Sequence, residues 1–145
     1  MIILLLLSTA CSLHANVADL YEQAKPLNAD ILLPENISLH QKQALKVRLT
    51  QEGKIVEDAT SIQFEIWNKV HPEDREIVVA QYAGNGMNRS EKTFNEDGIY
   101  YVKADVKARH LHVMPTKLVI VGKVSEKELQ SLHSTQDHTG HHNHH

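Results

Sequence analysis

The chain reads as an all-β protein, an antiparallel β-sandwich of about seven strands in two sheets. Three observations predict this. Between Ala29 and Gly122 apolar residues recur at every second position, with β-branched and aromatic residues enriched. Glycine, asparagine and aspartate clusters punctuate those runs at short intervals. No helical stripe longer than two turns interrupts them. A small closed barrel is the competing geometry. The 145 residues allow one modest core and exclude separate catalytic and substrate domains.

The elements follow in order. Met1 to Ala10 is a short apolar run ending in small residues directly before Cys11, the single cysteine. It is too short for a membrane-spanning helix, which needs about 20 apolar residues. Residues 1–11 are therefore expected to be a lipoprotein-type signal segment, with Cys11 as the lipidation site. No Lys or Arg precedes the run, and Ser8 stands where a lipobox leucine is usual. One cysteine also excludes an intrachain disulfide scaffold. Residues 12–28 are mostly polar and read as a tether; Leu20, Tyr21 and Ala24 could equally start a short helix.

Residues 29–124 are the expected sandwich domain. Ile31-Leu32-Leu33 is a short run stopped by Pro34. From Ala44 to Thr50, Leu45, Val47 and Leu49 share one face. From Ser61 to Asn68, Ile62, Phe64 and Ile66 face inward and Gln63, Glu65 and Trp67 outward. Glu76 to Tyr82 reads as one further strand, and Glu91 to Phe94 as a short one. Gly84 to Asn88 reads as a flexible loop between them. Gly98 to Lys107 places Tyr100, Val102, Ala104 and Val106 on one face, and Lys117 to Val121 closes the series. Residues 125–145 are a short helix or a disordered His-rich tail. Ser125 with Glu128 three positions later has the spacing of a capping box.

Two places could carry chemistry. The first is Arg109-His110-Leu111-His112-Val113-Met114-Pro115. In an extended segment His110, His112 and Met114 project to the same side. Two imidazoles and a thioether suit a soft or borderline metal, copper before zinc. The alternative places Met114 in the core and His112 hydrogen-bonded beside it. His71 and Met87, in loops, could approach this cluster; His14 and His40 read as tether and turn residues.

The second place is the tail. Eleven residues are histidine, and six of them fall in the last thirteen positions. His138, His141, His142, His144 and His145 stand in a Gly/Asn-containing segment with no core residues. Such a tract offers neutral imidazoles near neutral pH and would take copper, nickel or zinc with little selectivity.

The formal net charge of -3 provides no basic excess for a polyanion, so no nucleic-acid partner is expected. No zincin motif, phosphate loop, nucleophile elbow or dinucleotide fingerprint is present, and the expectation is a non-enzyme. Asp58, Glu65 and Asp105 have no spacing that proposes a catalytic pair.

The strings GKIVEDATSIQFEIWNK, from Gly53, and EKTFNEDGIYYVKADVKARHLHVMPTKLVIVG, ending at Gly122, carry a resemblance. The chain from about Asn36 to Gly122 resembles the YtkA-like domain family of bacterial surface lipoproteins, with a looser likeness to FixH-like proteins. The specific pieces are Phe64-Glu65-Ile66-Trp67, Asp97-Gly98-Ile99-Tyr100 and His112-Val113-Met114-Pro115. The resemblance implies an immunoglobulin-like sandwich on the outer face of a Firmicute-type membrane, with copper handling or respiratory-oxidase assembly as the suspected role. It also implies that Asp105 replaces a frequent histidine, that His110 replaces a small or apolar residue, and that His112 and Met114 hold the family's HxMP positions.

The expected function is a lipid-anchored extracytoplasmic metal-binding module, copper first, for buffering or transfer. The alternative is a non-catalytic envelope interaction module that recruits an envelope or respiratory protein through outward aromatics such as Trp67 and Tyr101.

Overall fold

The computed structural model describes residues 25–136. Strands form where the alternation predicts them, because a period of two lets one face of each strand leave water. In chain order they are β1 (Leu27–Leu32), β2 (Asn36–Ile37), β3 (Lys42–Gln51), β4 (Lys54–Ile55), β5 (Ala59–Asn68) and β6 (Glu76–Val79). They continue with β7 (Gln81–Gly84), β8 (Met87–Thr93), β9 (Gly98–Ala108), β10 (Leu111–Val113) and β11 (Thr116–Val121), and a helix, α1 (Glu126–Gln136), follows.

Two sheets result. The first runs β1-β3-β8-β7, with β4 beside β3; the second runs β2-β11-β9-β5-β6, with β10 beside β9. All pairings are antiparallel except β2 with β11. The sheets stay separate, so the arrangement is an immunoglobulin-like sandwich and not a closed barrel. Short pairings such as β2, β4 and β10 raise the strand number above the expected seven.

The core lies between the sheets. Leu45, Val47 and Leu49 of β3 are fully buried and face the other sheet, where Phe64 of β5 and Val102, Ala104 and Val106 of β9 are buried side by side. Each large side chain so buried contributes about 1.5–3 kcal/mol. Tyr100 packs at its margin, edge-on to Phe94 at 5.1 Å between ring centres.

Several expectations need correction. The first strand starts at Leu27, which is buried, so the last two residues assigned to the tether belong to the sandwich. The segment read as one strand from Glu76 to Tyr82 is two. β6 pairs with β5, the chain crosses between sheets at Ala80, and β7 pairs with β8 in the other sheet. Gly84 to Asn88 is not a flexible loop. Asn85 and Gly86, at φ 53° and 71°, make a tight turn between β7 and β8. That is the positive-φ pair a two-residue hairpin favours, so the Asn-Gly dipeptide was the signal to read.

Within the expected C-terminal segment, Glu126–Gln136 is a helix. Ser125 Oγ accepts from Glu128 N–H at 3.3 Å, and Glu128 Oε2 accepts from Ser125 N–H at 3.1 Å. This reciprocal cap satisfies two donors that the first turn cannot. Lys69 Nζ donates to Ser131 Oγ at 3.0 Å and ties α1 to the second sheet. Leu129 and Leu132 of α1 line one groove with Tyr101, Leu118 and Ile120. Ile99 points outward by strand parity yet is 2% exposed.

Among the described residues no helix is long and apolar enough to cross a membrane. The signal segment 1–11 with Cys11, most of the tether with His14, and His138, His141, His142, His144 and His145 lie outside the described residues.

Candidate functional site

β9 is the longest strand, and its far end carries the expected cluster. Ala108 pairs with Leu111, leaving Arg109 and His110 as a two-residue hairpin turn. Both sit at positive φ, 51° and 65°. Neither is the Gly or Asn that this turn prefers, so the turn is held from outside. Arg109 Nε donates to both carboxylate oxygens of Asp58, at 2.9 and 3.1 Å, and Nη1 donates to Gln51 Oε1 at 2.9 Å. Gln51 also donates through Nε2 to the Lys25 carbonyl at 2.8 Å, so the turn and the start of β1 share one end of the sandwich.

This geometry corrects one expectation. His110 belongs to a left-handed turn and not to an extended segment, so the alternation that would align it with His112 and Met114 is broken there. His110 and His112 do line one shallow cavity of about 490 Å³, with Asp58, Thr60 and Lys107.

His112 and Met114 remain on the outer face. His112 lies opposite Lys107, and its Nε2 is 2.8 Å from Oδ1 of Asp105, the diagonal neighbour across the ladder. Its side chain is 44% exposed, and Nδ1 has no hydrogen-bond partner among the described residues. Val113 pairs with Val106 and Thr116 with Lys103, so the unbroken register sets Met114 opposite Asp105. Met114 is 52% exposed and is not a core residue. Pro115 interrupts the ladder because it lacks an N–H, but its carbonyl accepts from Ala104 N–H at 2.9 Å. The other candidates stay apart: His71 sits 3.4 Å from Glu73, His40 Nδ1 lies 3.2 Å from Asn95 Oδ1, and Met87 opens β8.

Asp105 is the residue whose part sequence reasoning left open. A two-residue turn at Arg109-His110 makes positions 105 and 112 diagonal neighbours, and nothing in the Arg-His dipeptide announces that turn. Among the described residues no group of three His, Cys, Asp or Glu converges as a metal site. The donor chemistry of His112 Nδ1 and the Met114 thioether fits a soft ion, and it fills only part of a coordination shell.

Further along the same face the aromatics are engaged with each other. Trp67 stacks on Tyr101 at 5.5 Å between ring centres, and the Arg75 guanidinium sits 4.3 Å above the Trp67 ring. Glu65 bridges Arg75 and Lys103 in the next row, and these two cations hold its carboxyl below the usual carboxylate range, Lys103 most.

Fold and face together define a small immunoglobulin-like sandwich module with an open, polar outer sheet. The chain belongs to the YtkA-like family, which matches residues 21–105. The match begins before Asn36 and ends at Asp105, so His110, His112 and Met114 follow it. No curated protein matches the chain. Among solved structures, the Lin-41 filamin domain is similar at 11% identity and TM-score 0.48, over 66% of this chain and 93% of that one. The PKD domain of an M14-like peptidase from Thermoplasmatales archaeon SCGC AB-540-F20 is similar at 17% identity and TM-score 0.45, over 69% and 100%. Superoxide reductase (neelaredoxin) from Ignicoccus hospitalis is similar at 12% identity and TM-score 0.44, over 65% and 80%. Likenesses this distant say nothing of activity.

Proposed function

We propose that the chain is a non-catalytic module of the extracytoplasmic membrane face, anchored by lipid at Cys11, that holds copper for buffering or transfer. The observation that carries this reading is the Asp105–His112 pair beside exposed Met114. A carboxylate on one imidazole nitrogen orients the ring and raises the basicity of the other, the arrangement common behind metal-bound histidines. Nδ1 of His112 and Sδ of Met114 are then the donors, and Asp105 is the positioning residue. Such an incomplete shell suits an ion that is passed on. His138, His141, His142, His144 and His145 would supply further imidazoles at high effective concentration. Zinc or nickel at the tail is compatible with the same chemistry.

The test is titration with Cu(I), Cu(II) and Zn(II) of the chain and of a form ending at Gln136. Saturable Cu(I) binding to the shorter form, lost in Met114→Ala and His112→Ala, is expected. No saturable binding to the shorter form would remove the face site, and none to either form would remove the metal reading.

The second reading is an envelope interaction module, for example in respiratory-oxidase assembly. The Trp67–Tyr101 stack beside the groove under α1 favours it. Crosslinking in intact cells separates the two: a stoichiometric partner retained in chelator supports this reading over metal handling.

A further inference from the structure

Of the four strands that end the two sheets, three are blunted. β1 carries exposed Asn28 and Asp30 and is closely followed by Pro34, β2 is two residues long, and β7 is bent by a register shift between Tyr82 and Gly84. Such devices protect natural edges, because a row of unpaired N–H and C=O groups recruits another strand. β6 has none of them. It ends the second sheet, and among the described residues no strand lies beyond it. Its outer face carries Ile77 and Val79, 60% and 69% exposed. Its single charged residue, Glu76, lies opposite inward-facing Ile66 and pairs with Lys92 of the first sheet.

The ladder with β5 fixes which backbone groups of β6 are free. Ala80 N–H donates to the Ile62 carbonyl at 3.0 Å, in the same register that sets Val79 against Gln63 and Val78 against Phe64. Bonded and unbonded pairs alternate along an antiparallel ladder. Val78 therefore shares its bonds with Phe64, and the N–H and C=O groups of Ile77 and Val79 point away from β5.

We propose that β6 is the pairing edge for a second copy of this chain, in a two-fold antiparallel pair centred on Val78. That centre sets Ile77 of each copy directly opposite Val79 of the other. The four backbone groups that β5 leaves free in one copy then meet the four of the other. It also lays the exposed Ile77 side chain beside the other copy's Val79 on the outer face, a β-branched pair of the kind strands favour. Charge argues for a second copy as the occupant. The residues brought face to face are uncharged, and Glu76 falls opposite Ala80, away from the other copy's Glu76 and held by its own Lys92. An isologous contact needs one patch that is complementary to itself, and this strand is one. The two outer faces become one continuous surface. One short strand per copy buries little area, so the pair is weak in dilute solution.

The experiment is sedimentation equilibrium and amide exchange on the full chain, from micromolar to millimolar concentration. A monomer–dimer equilibrium is expected, with the Ile77 and Val79 amides exchanging more slowly as concentration rises. The Val78 amide, already bonded to β5, should not change. Val79→Glu and Ile77→Lys, both at exposed positions, should each weaken association about tenfold with little change in melting temperature. Mixing the two variants should restore it, because the two-fold sets position 79 of one copy against position 77 of the other. A monomer at every concentration would overturn the proposal, as would a mixture that associates no better than its parts. Protection of both amides in a micromolar monomer would put another segment of this chain on the edge and would overturn it too.

Discussion

Asp105 and His112, seven residues apart in sequence, meet at 2.8 Å because the Arg109-His110 turn folds β10 back on β9. Both are accessible to water, so the pair adds little to stability, about 0–1 kcal/mol. Its expected importance is for the ring. Asp105→Asn should leave the melting temperature nearly unchanged and weaken metal binding by about 10–100-fold, the usual cost of losing an outer carboxylate. Titration of the two proteins side by side checks it.

The turn itself is a second point of test. A non-glycine residue in the left-handed region costs about 1–2 kcal/mol. His110→Gly should therefore raise stability by about 0.5–1 kcal/mol, with the extra freedom of Gly in the unfolded chain taking back the rest. Arg109→Ala should lower it, since the contacts to Asp58 and Gln51 that brace the turn are lost. Urea unfolding of both variants measures the difference, and a destabilised His110→Gly would contradict the strain argument.

Glu65 sets a pH dependence. Lys103, then Arg75, lower its carboxyl pKa in the folded state. A depressed folded pKa means that ionised Glu65 adds stability above its unfolded value of about 4.3. That contribution disappears as pH falls through the folded value. Glu65→Gln should be less stable than the parent at neutral pH, and the gap should close as pH falls below about 4.3 and through the folded value. Melting temperatures across that range read the effect.

The cap of α1 is a fourth. Ser125→Ala removes the acceptor for Glu128 N–H and the partner of its carboxylate. The expected cost is about 1 kcal/mol, confined to the helix. Amide exchange in α1 should quicken while exchange in β5 and β9 stays unchanged.

The alternation of Leu45, Val47 and Leu49, and of Ile62, Phe64 and Ile66, was enough to name the inward faces of β3 and β5 from sequence. A strand's side chains must alternate, so burial of one face writes itself into the order of residues. The Ser125–Glu128 spacing announced the helix start for the same local reason. Three features were decided only by the tertiary structure. The crossing at Ala80 depends on which sheet each half of a continuous apolar run can pair with. The turn at Arg109-His110 is held by Asp58 and Gln51, more than fifty residues away, and not by its own residues. That turn in turn removes His110 from the expected row and brings Asp105 to His112. An arrangement that hangs on a turn braced from a distance leaves no local pattern, so the side-chain types could be read in the chain but their placement could not.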